Sequence, residues 1–500
     1  MKRFLKINSA DNVAVVLVDG VKEGEWFEDG GVRVRLLEGV PRGHKFALRD
    51  IGAGEDVVKY GSPIGHSTAP IVAGEWVHSH NLETSLSDNP DYTYEPVKAE
   101  DETSVVSGNV PVVDGYLRRD GEMGIRNELW IIPTVGCVNG VADAIANRLR
   151  NECGNAPGVD DIRAFTHNYG CSQLGDDHAN TRRALAAMAV HPNAGGVLIV
   201  GLGCENNQID ALREQMGEFD WSRVRFLVSQ QVDDEIAEGV KLGKELAARM
   251  ASDCREPLPV SKLKVGLKCG GSDGLSGITA NPLVGLLSDR LLMWGATTVL
   301  TEVPEMFGAE TILMKRARSR EVFESEVKLI KGFKDYFRKN GQPIYENPSP
   351  GNKAGGITTL EEKSLGCVQK GGSGMVVDVL GYAEQLKRRG LNLLNAPGND
   401  LVASTALALS GCQIVLFTTG RGTPFGTFVP TMKIATNSAL ASRKKNWIDF
   451  NAGSIIEQES MAQALECLIA KLLATASGAP VCNELNGNKE IAIFKTGVTL

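Results

Sequence analysis

The most informative segment of this chain is Lys268-Cys269-Gly270-Gly271-Ser272-Asp273-Gly274-Leu275-Ser276-Gly277-Ile278-Thr279-Ala280-Asn281-Pro282. It follows an apolar run at 263–267 that is typical of a strand, and it leads into an apolar segment from Leu283 that is typical of a helix. The glycines therefore fall on a strand-to-helix turn, where a ligand can approach the bare backbone and helix N–H groups attract anions. A tight turn that binds nothing is the plain alternative.

Strand-like and helix-like segments alternate on both sides of this turn. The strand-like runs end in polar turns at Gly136-Cys137, Gly170-Cys171, Gly203-Cys204, Asn399-Asp400 and Gly420-Arg421-Gly422. Such alternation predicts right-handed βαβ units, and hence an α/β fold with mostly parallel, Rossmann-like sheets. We expect a first α/β catalytic region at 116–345 and a second α/β region at 346–500. Whether the two share one sheet stays open.

The N-terminal part has a different pattern. Short β-branched runs at 13–18 and 32–36 are separated by Asp-Gly turns, which predicts a small all-β domain over residues 1–95. Residues 96–115, rich in acidic residues, serine and valine, are expected to form a linker to the α/β part.

Composition excludes several classes of protein. The chain has 61 acidic and 53 basic residues, a formal charge of −8 and no outstanding basic tract, so nucleic acid is not an expected partner. No apolar run approaches the roughly 20 residues that span a bilayer, so no membrane role is expected. Ten cysteines in 500 residues do not indicate a disulfide scaffold, and the first residues are polar. We therefore expect a cytoplasmic protein.

Polar residues at the predicted strand ends are candidates for substrate binding, because ligands collect beyond the carboxyl ends of strands in open α/β sheets. The candidates are Gly270, Gly271, Ser272, Asp273, Asn206, Arg421 and Lys353. Arg421, flanked by glycines, could hold a carboxylate with two hydrogen bonds, although an ordinary surface arginine would look the same. Lys353 lies in a long Gly/Pro/Ser-rich segment, where it could contact substrate or help to close the site.

Three residues are candidates for proton transfer. His167 and His178 flank the turn at Cys171, and imidazoles exchange protons near neutral pH. Lys268 adjoins a predicted buried strand and is a second candidate base. A histidine at a strand end is often only part of the hydrogen-bonded structure, so a structural role remains open for both histidines.

Two sets of residues could hold a metal ion. His78 and His80 are two apart, so on a strand both would face one side and reach one Fe²⁺, Mn²⁺ or Zn²⁺, with His66 or His44 as a further ligand. Exposed surface histidines are the alternative. Thiolates offer the second set, in which Cys137, Cys204 and Cys269, with Cys171, would hold iron; buried structural thiols would be the plainer explanation.

Several long motifs in order along the chain resemble the altronate and galactarate dehydratase family. They are Gly124-Ile125-Arg126-Asn127-Glu128, Pro133-Thr134-Val135-Gly136-Cys137-Val138-Asn139, Tyr169-Gly170-Cys171-Ser172-Gln173, Gly201-Leu202-Gly203-Cys204-Glu205-Asn206-Asn207, Gly270-Gly271-Ser272-Asp273-Gly274-Leu275-Ser276-Gly277 and Thr419-Gly420-Arg421-Gly422-Thr423-Pro424. The N-terminal domain is similar to the family's SAF-type β-clip. The resemblance extends from near Met1 to the C-terminal Lys495-Thr496-Gly497-Val498-Thr499-Leu500.

The resemblance implies a hydro-lyase that converts D-altronate to 2-dehydro-3-deoxy-D-gluconate and water in hexuronate breakdown, with iron or manganese, in a homo-oligomer. Galactarate or another sugar acid is the close alternative, and a non-catalytic sugar-acid binding protein is the alternative of another class. For such a substrate we expect His167 or Lys268 to remove the C2 proton and His178 to protonate the leaving 3-hydroxyl. Arg421 and the glycine turn would bind the carboxylate or the distal hydroxyls.

Overall fold

The computed structural model describes residues 2–29, 31–87, 90–97 and 110–499. A small all-β region comes first and an α/β region with a seven-stranded parallel sheet follows, which confirms the predicted fold class. Of the predicted linker at 96–115, residues 98–109 lie outside the described part of the chain. Among the described helices, none combines the length and apolar character needed to cross a membrane.

The N-terminal β domain (residues 2–87) consists of short strands around a compact apolar core. Its strands are β1 (Phe4–Leu5), β2 (Val13–Val16), β3 (Trp26–Asp29), β4 (Val32–Arg35), β5 (Lys45–Ala47), β6 (Asp56–Lys59), β7 (Ser62–Ser67), β8 (Trp76–Val77) and β9 (Leu82–Glu83). They pair as β1-β2-β5-β8, β3-β4 and β6-β7-β9. Phe4, Phe27 and Phe46 pack edge to face at 5.5–6.2 Å between ring centroids, which fixes how two of these sheets meet.

The middle region (residues 110–259) contains a four-stranded parallel sheet. The strands of the whole middle region are β10 (Val112–Leu117), β11 (Met123–Gly124), β12 (Glu128–Pro133), β13 (Asp161–Ala164), β14 (Ala194–Gly201), β15 (Val224–Val228) and β16 (Glu256–Pro259). Its helices are α1 (Asn139–Cys153), α2 (Gly175–Ala189), α3 (Ile209–Met216) and α4 (Glu235–Met250). The parallel strands lie in the order β13-β12-β14-β15, and β11-β10-β16 form a separate sheet. Strands β12 and β14 are buried throughout, as expected for strands covered by helices on both faces.

The C-terminal region (residues 260–499) contains a seven-stranded parallel sheet in the order β19-β20-β18-β17-β21-β22-β23. Its strands are β17 (Lys264–Cys269), β18 (Thr297–Leu300), β19 (Val376–Leu380), β20 (Leu391–Leu394), β21 (Ile414–Thr419), β22 (Thr431–Ala435) and β23 (Phe450–Asn451). Its helices are α5 (Ala280–Met293), α6 (Glu310–Met314), α7 (Arg320–Lys339), α8 (Pro350–Ala354), α9 (Leu360–Cys367), α10 (Asp400–Leu409), α11 (Ser438–Arg443), α12 (Met461–Ala476) and α13 (Cys482–Leu485). The glycine-rich turn at residues 268–282, called the decisive turn below, joins β17, at the centre of this sheet, to α5.

The seven-stranded sheet draws strands from both of the predicted α/β regions. Strands β17 and β18 come from 116–345, whereas β19 to β23 come from 346–500. The question left open by the sequence is thus answered, because the two regions share a sheet. This pairing favours a domain division near residue 260 over one at 345, and we propose that division in place of the predicted one.

The β domain is held on the C-terminal region by a buried ion-pair network. The Glu362 carboxylate, on α9, accepts hydrogen bonds from Lys45 Nζ at 2.8 Å and Lys59 Nζ at 2.7 Å, and all three side chains are at most 1% exposed. Thr359 Oγ1 donates to the Ile64 carbonyl oxygen in the same contact. The β domain is therefore fixed beside the turn that follows β17.

Candidate active site

The glycines of the decisive turn allow other parts of the chain to pack closely against it. A Cβ at Gly274 would collide with the carbonyl oxygen of Gly43 in the β domain, and one at Gly270 would collide with the Asp400 carboxylate. A Cβ at Gly277 would collide with the hydroxyl of Tyr60, also in the β domain. The turn is thus covered by protein along much of its length, and these three glycines serve close packing as well as the shape of the turn.

Two polar residues of the turn hold it in place. The Asp273 carboxylate accepts hydrogen bonds from Thr436 Oγ1 at 3.0 Å and Asn437 Nδ2 at 3.1 Å, beyond the end of β22. Burial raises the pKa of Asp273. Ser272 accepts a hydrogen bond from Asn352 Nδ2 through its carbonyl oxygen at 2.8 Å. Both residues lie where the sequence placed a substrate contact, but in this structure their hydrogen bonds go to the protein.

Helix α8 and its flanks form the rim of the site. Arg421 is exposed and donates from Nη2 to the Gly351 carbonyl oxygen at 2.9 Å, while its backbone N–H donates to Gly271. The Lys353 side chain is exposed nearby, and the Lys353 carbonyl oxygen lies 3.0 Å from His78 Nε2. The predicted candidates Arg421, Lys353 and Gly271 are thus brought together where the β domain meets the turn.

A buried charged cluster lies beneath the turn. Lys268 is fully buried and pairs with Glu302 and, at 3.0 Å, with Asp400. Burial alone would lower the pKa of Lys268, but Glu302 and Asp400 outweigh it and raise that pKa well above its usual range. Lys268 is therefore a fixed ammonium ion, which argues against the sequence-based expectation that it acts as a base.

Cys269, Glu305 and Cys367 form a group that could hold a metal ion. The Sγ atoms of the two cysteines are 3.2 Å apart, and Glu305 Oε2 lies 3.4 Å from Cys269 Sγ and 3.0 Å from Cys367 Sγ. All three residues are buried. In the described part of the chain this is the one group of three or more such side chains with ligand atoms within 4.8 Å of one another.

The charges around this group are consistent with a divalent ion. The surrounding ionisable side chains are the carboxylates Glu302, Glu305 and Asp400 and the ammonium groups Lys268, Lys363 and Lys370. With both thiols protonated these charges balance. Loss of both thiol protons would leave two negative charges, which one divalent cation would neutralise. Since Lys370 Nζ lies 2.8 Å from Cys269 Sγ and Lys363 Nζ lies 2.8 Å from Glu305 Oε1, a bound ion would displace these ammonium groups.

A small cavity lies between the turn and Cys367 of this group. It is lined by Tyr60 from the β domain, by Ser272 and Ser276 from the turn, and by Glu362 and Cys367 from α9. Glu305 and Cys367 were not among the residues predicted from the sequence. A carboxylate five residues beyond the end of β18, in Thr301-Glu302-Val303-Pro304-Glu305, was the available signal for Glu305.

His44 has an unpaired acceptor beside the rim. Its Nε2 lies 3.3 Å from the Ala354 carbonyl oxygen, which places the proton on Nε2, whereas its buried Nδ1 has no hydrogen-bond partner in the described residues. Burial lowers the pKa of His44 to about 4, so the ring is neutral at pH 7. His78 stacks on His44 with 5.1 Å between the ring centroids.

The structure does not assemble the predicted histidine metal site. Strand β8 ends at Val77, so His78 and His80 lie on a turn where the two-residue alternation of a strand no longer applies. His66 lies on β7, and its Nδ1 is 3.1 Å from Ser85 Oγ. Across the described residues, no group of metal-ligand atoms includes any of these three histidines.

The predicted cysteine site is also divided. Cys269 is the last residue of β17 in the seven-stranded sheet, whereas Cys137 and Cys204 follow β12 and β14 in the four-stranded sheet. Asn206 and His178 belong to that second edge as well, since the Asn206 side chain accepts from the Ser172 N–H at 3.0 Å and the Asn206 backbone hydrogen-bonds His178. The polar strand ends thus form two edges, one for each parallel sheet.

His167 has a structural environment. Its Nε2 donates to the Pro133 carbonyl oxygen at 2.8 Å, and its Nδ1 accepts from the Tyr169 N–H at 3.1 Å. Burial lowers the pKa of His167. Both nitrogens are engaged by backbone, which argues against the predicted role as a base. His178 is half-buried, and burial together with Arg182 lowers its pKa.

Family models match nearly the whole chain. Residues 2–85 match the altronate/galactarate dehydratase SAF domain, residues 115–251 match the second domain of D-galactarate dehydratase/altronate hydrolase, and residues 260–499 match the C-terminal domain of D-galactarate/altronate dehydratase. The matched ranges separate near residue 260, as the two parallel sheets do.

Three curated relatives are similar in sequence to this chain over all or nearly all of its length. The chain is 56% identical to altronate dehydratase from Escherichia coli (strain K12) and 54% identical to altronate dehydratase from Bacillus subtilis (strain 168), covering 100% of each chain in both comparisons. It is 33% identical to galactarate dehydratase (L-threo-forming) from Escherichia coli (strain K12), over 95% of this chain and 93% of that one. This chain therefore belongs to the altronate and galactarate dehydratase family.

Proposed function

We propose that this protein is an altronate dehydratase that converts D-altronate to 2-dehydro-3-deoxy-D-gluconate and water. The observation that carries the proposal is the identity above 50%, over the whole chain, to two altronate dehydratases. In the reaction the C2 proton and the 3-hydroxyl leave as water, and the resulting enol becomes a 2-ketone as C3 takes up a proton. A C2 proton beside a carboxylate is weakly acidic, so the site must stabilise negative charge.

Arg421 and Lys353 are the proposed contacts of the substrate carboxylate. Both are exposed cations on the rim, where the turn, α8 and the β domain meet. A guanidinium fork holds a carboxylate with two hydrogen bonds, and an ammonium group adds a point charge. The backbone of the turn at Gly271 would lie behind the bound carboxylate, since the Arg421 N–H donates to the Gly271 carbonyl oxygen.

His44 is the proposed proton acceptor in place of His167 and Lys268. It combines a neutral ring at pH 7, a free Nδ1 lone pair and a position beside the rim. A general base needs a free lone pair within reach of the substrate proton, and the two earlier candidates lack one. Replacement of His44 by Asn should lower kcat far more than it raises KM, since substrate binding by Arg421 would persist.

Cys269, Glu305 and Cys367 would hold the metal ion, and we propose Fe²⁺ rather than Mn²⁺. Thiolates favour iron and zinc, whereas manganese prefers sites made of carboxylate and water oxygens. When bound, such an ion supplies Lewis-acid stabilisation of oxygen atoms that become negatively charged. The fixed ammonium group of Lys268, paired with Glu302 and Asp400, supplies further positive charge nearby.

A substrate panel tests the function directly. The protein, loaded with Fe²⁺ under anaerobic reducing conditions, is incubated with D-altronate, galactarate and other aldonates, while 2-keto-3-deoxy acid formation is followed. We expect D-altronate to have the highest kcat/KM. A preference for galactarate would instead identify the protein as a galactarate dehydratase. Substrate binding without turnover would contradict an enzymatic role. A cytoplasmic, homo-oligomeric enzyme of hexuronate breakdown remains the accompanying prediction, to be checked by fractionation and light scattering.

A further inference from the structure

Three cysteines lie together at the edge of the four-stranded sheet, away from the cluster at Cys269. Cys137, Cys171 and Cys204 follow β12, β13 and β14, which are neighbouring parallel strands. All three are exposed, free thiols. The proposed dehydration mechanism uses none of them, so their arrangement requires a separate explanation.

The register of the sheet places two of these cysteines at the same level. Pro133 pairs with Val200 across β12 and β14. Cys137 and Cys204 each follow their member of this pair by four residues. Because neighbouring strands run about 4.8 Å apart, the loops that carry these two cysteines leave adjacent strands side by side.

The loop that carries Cys171 packs against the loops of both other cysteines. The Gly136 N–H donates to the Tyr169 carbonyl oxygen at 2.9 Å, and a Cβ at Gly170 would collide with the Thr134 carbonyl oxygen. On the other side, the Asn207 N–H donates to the Gly170 carbonyl oxygen at 3.0 Å. The three loops therefore contact one another in a triangle, with one thiol on each.

Each cysteine is preceded by glycine. Gly170 and Gly203 have φ angles of +98° and +127°, in the region that favours glycine, so these positions are constrained by backbone shape. A Cβ at Gly136 would collide with the His167 carbonyl oxygen, so Gly136, like Gly170, lets the loops that carry the cysteines pack closely. The thiols do not form a single-ion site, since the metal-ligand group of the described residues contains none of them.

We propose that Cys137, Cys171 and Cys204 bind a [4Fe–4S] cluster through three thiolates. A cubane presents its iron atoms at separate corners, so its thiolate ligands stand farther apart than those of one ion. Each thiol loses its proton when it binds iron. The fourth iron has no thiolate from this set and is open to water or to an oxygen atom of a small anionic ligand, which enters from solvent at the exposed edge.

Cluster content tests this proposal without reference to turnover. The full-length protein is reconstituted anaerobically with Fe³⁺, sulfide and dithiothreitol, which reduces half of the iron to Fe²⁺. Iron, acid-labile sulfide, visible absorption and the EPR signal after dithionite reduction are then measured. We expect about four iron and four sulfide per chain with the absorption of a cubane cluster. The Cys137→Ser, Cys171→Ser and Cys204→Ser triple variant should lose the sulfide and the absorption.

Two matched variants complete the test. Cys254→Ser removes an exposed thiol elsewhere in the middle region, and Cys269→Ser with Cys367→Ser removes the thiols of the other metal group; both should keep the cluster. Circular dichroism of the triple variant checks that its fold is intact. Retention of full sulfide and absorption by a folded triple variant would overturn the proposal, as would wild-type protein that binds zinc or iron without sulfide.

Discussion

Replacement of Glu362 by Gln should loosen the attachment of the β domain. The Glu362 carboxylate, 2% exposed as a residue, accepts four hydrogen bonds, from Lys45 Nζ, Lys59 Nζ, Thr358 N and Thr358 Oγ1 at 2.7–2.8 Å. Glutamine preserves the shape but leaves two buried ammonium groups without their counter-ion. Breaking a buried ion pair in this way costs about 3–5 kcal/mol. We therefore expect the docked state to lose about that much stability.

Hydrogen exchange measures this loss at the contact itself. Peptides that cover 43–48 and 354–364 should exchange about 100-fold faster or more in the variant, because each 1.36 kcal/mol changes an opening equilibrium tenfold. Glu466→Gln, which removes an exposed carboxylate paired with Arg290 at 3.4 Å, should leave the same peptides unchanged. Acceleration below about fivefold, equivalent to roughly 1 kcal/mol, would refute the reasoning.

Replacement of the whole network separates charge burial from packing. A variant with Met at Lys45 and Lys59 and Leu at Glu362 removes all three charges together, so no buried charge is left without a partner. Apolar replacement of a complete buried ion-pair network is often neutral or stabilising. Exchange in this variant should return toward the wild-type rate. If it stays as fast as in the single variant, shape rather than charge holds the β domain.

Three further predictions concern other parts of the molecule. Glu326 is 1% exposed, its carboxylate oxygens have no hydrogen-bond partner in the described residues, and burial raises its pKa from 4.5 to about 8. A carboxyl group with a raised pKa destabilises the folded state increasingly as pH rises from 4.5 to 8. Calorimetry should therefore show that Glu326→Gln stabilises the folded protein by about 3 kcal/mol at pH 7 and does not change its stability at pH 4. An equal gain at both pH values would contradict this. Arg421→Ala should lower kcat/KM about 30-fold or more, equivalent to about 2 kcal/mol, with unchanged melting temperature; a loss within twofold would exclude the clamp. Cys269→Ser with Cys367→Ser should abolish tight Fe²⁺ binding at the buried group in equilibrium dialysis of protein without sulfide, and retention of that affinity would place the ion elsewhere.

Local sequence patterns were sufficient to predict much of the fold. The apolar runs before Gly136, Gly203 and Gly270 predicted strands that the structure contains as β12, β14 and β17. The turn after β17 was predicted from its glycines and the apolar segments on either side. These features depend on residues near one another in the chain, which is why periodicity and turn chemistry detect them.

The order of strands was not predictable, and the site depends on it. Cys269, Glu305 and Cys367 meet because β18 lies beside β17 and α9 packs beneath the turn. Alternation of strands and helices indicates βαβ units but does not say which strands are neighbours or how many sheets they form. For the same reason the sequence merged the edge at Cys137 with the edge at Cys269.

Helix α9 was missed because it has no amphipathic pattern. The sequence predicted an irregular segment from 347 to about 374, whereas residues 360–367 form a helix that is buried on every side. A helix without a polar face lacks the 3.6-residue period that marks a surface helix. Thr359, whose hydroxyl accepts from the Glu362 N–H, was a usable start signal in Thr359-Leu360-Glu361-Glu362.

The product formed from D-altronate in ²H₂O tests the central claim most directly. The Fe²⁺-loaded protein is incubated with D-altronate in ²H₂O, and the product is identified by ¹H and ¹³C NMR. The proposed reaction predicts 2-dehydro-3-deoxy-D-gluconate with one deuterium at C3, because the enol takes its new C3 proton from solvent. Unchanged D-altronate, or deuterium exchange at C2 without loss of water, would contradict the proposed dehydration.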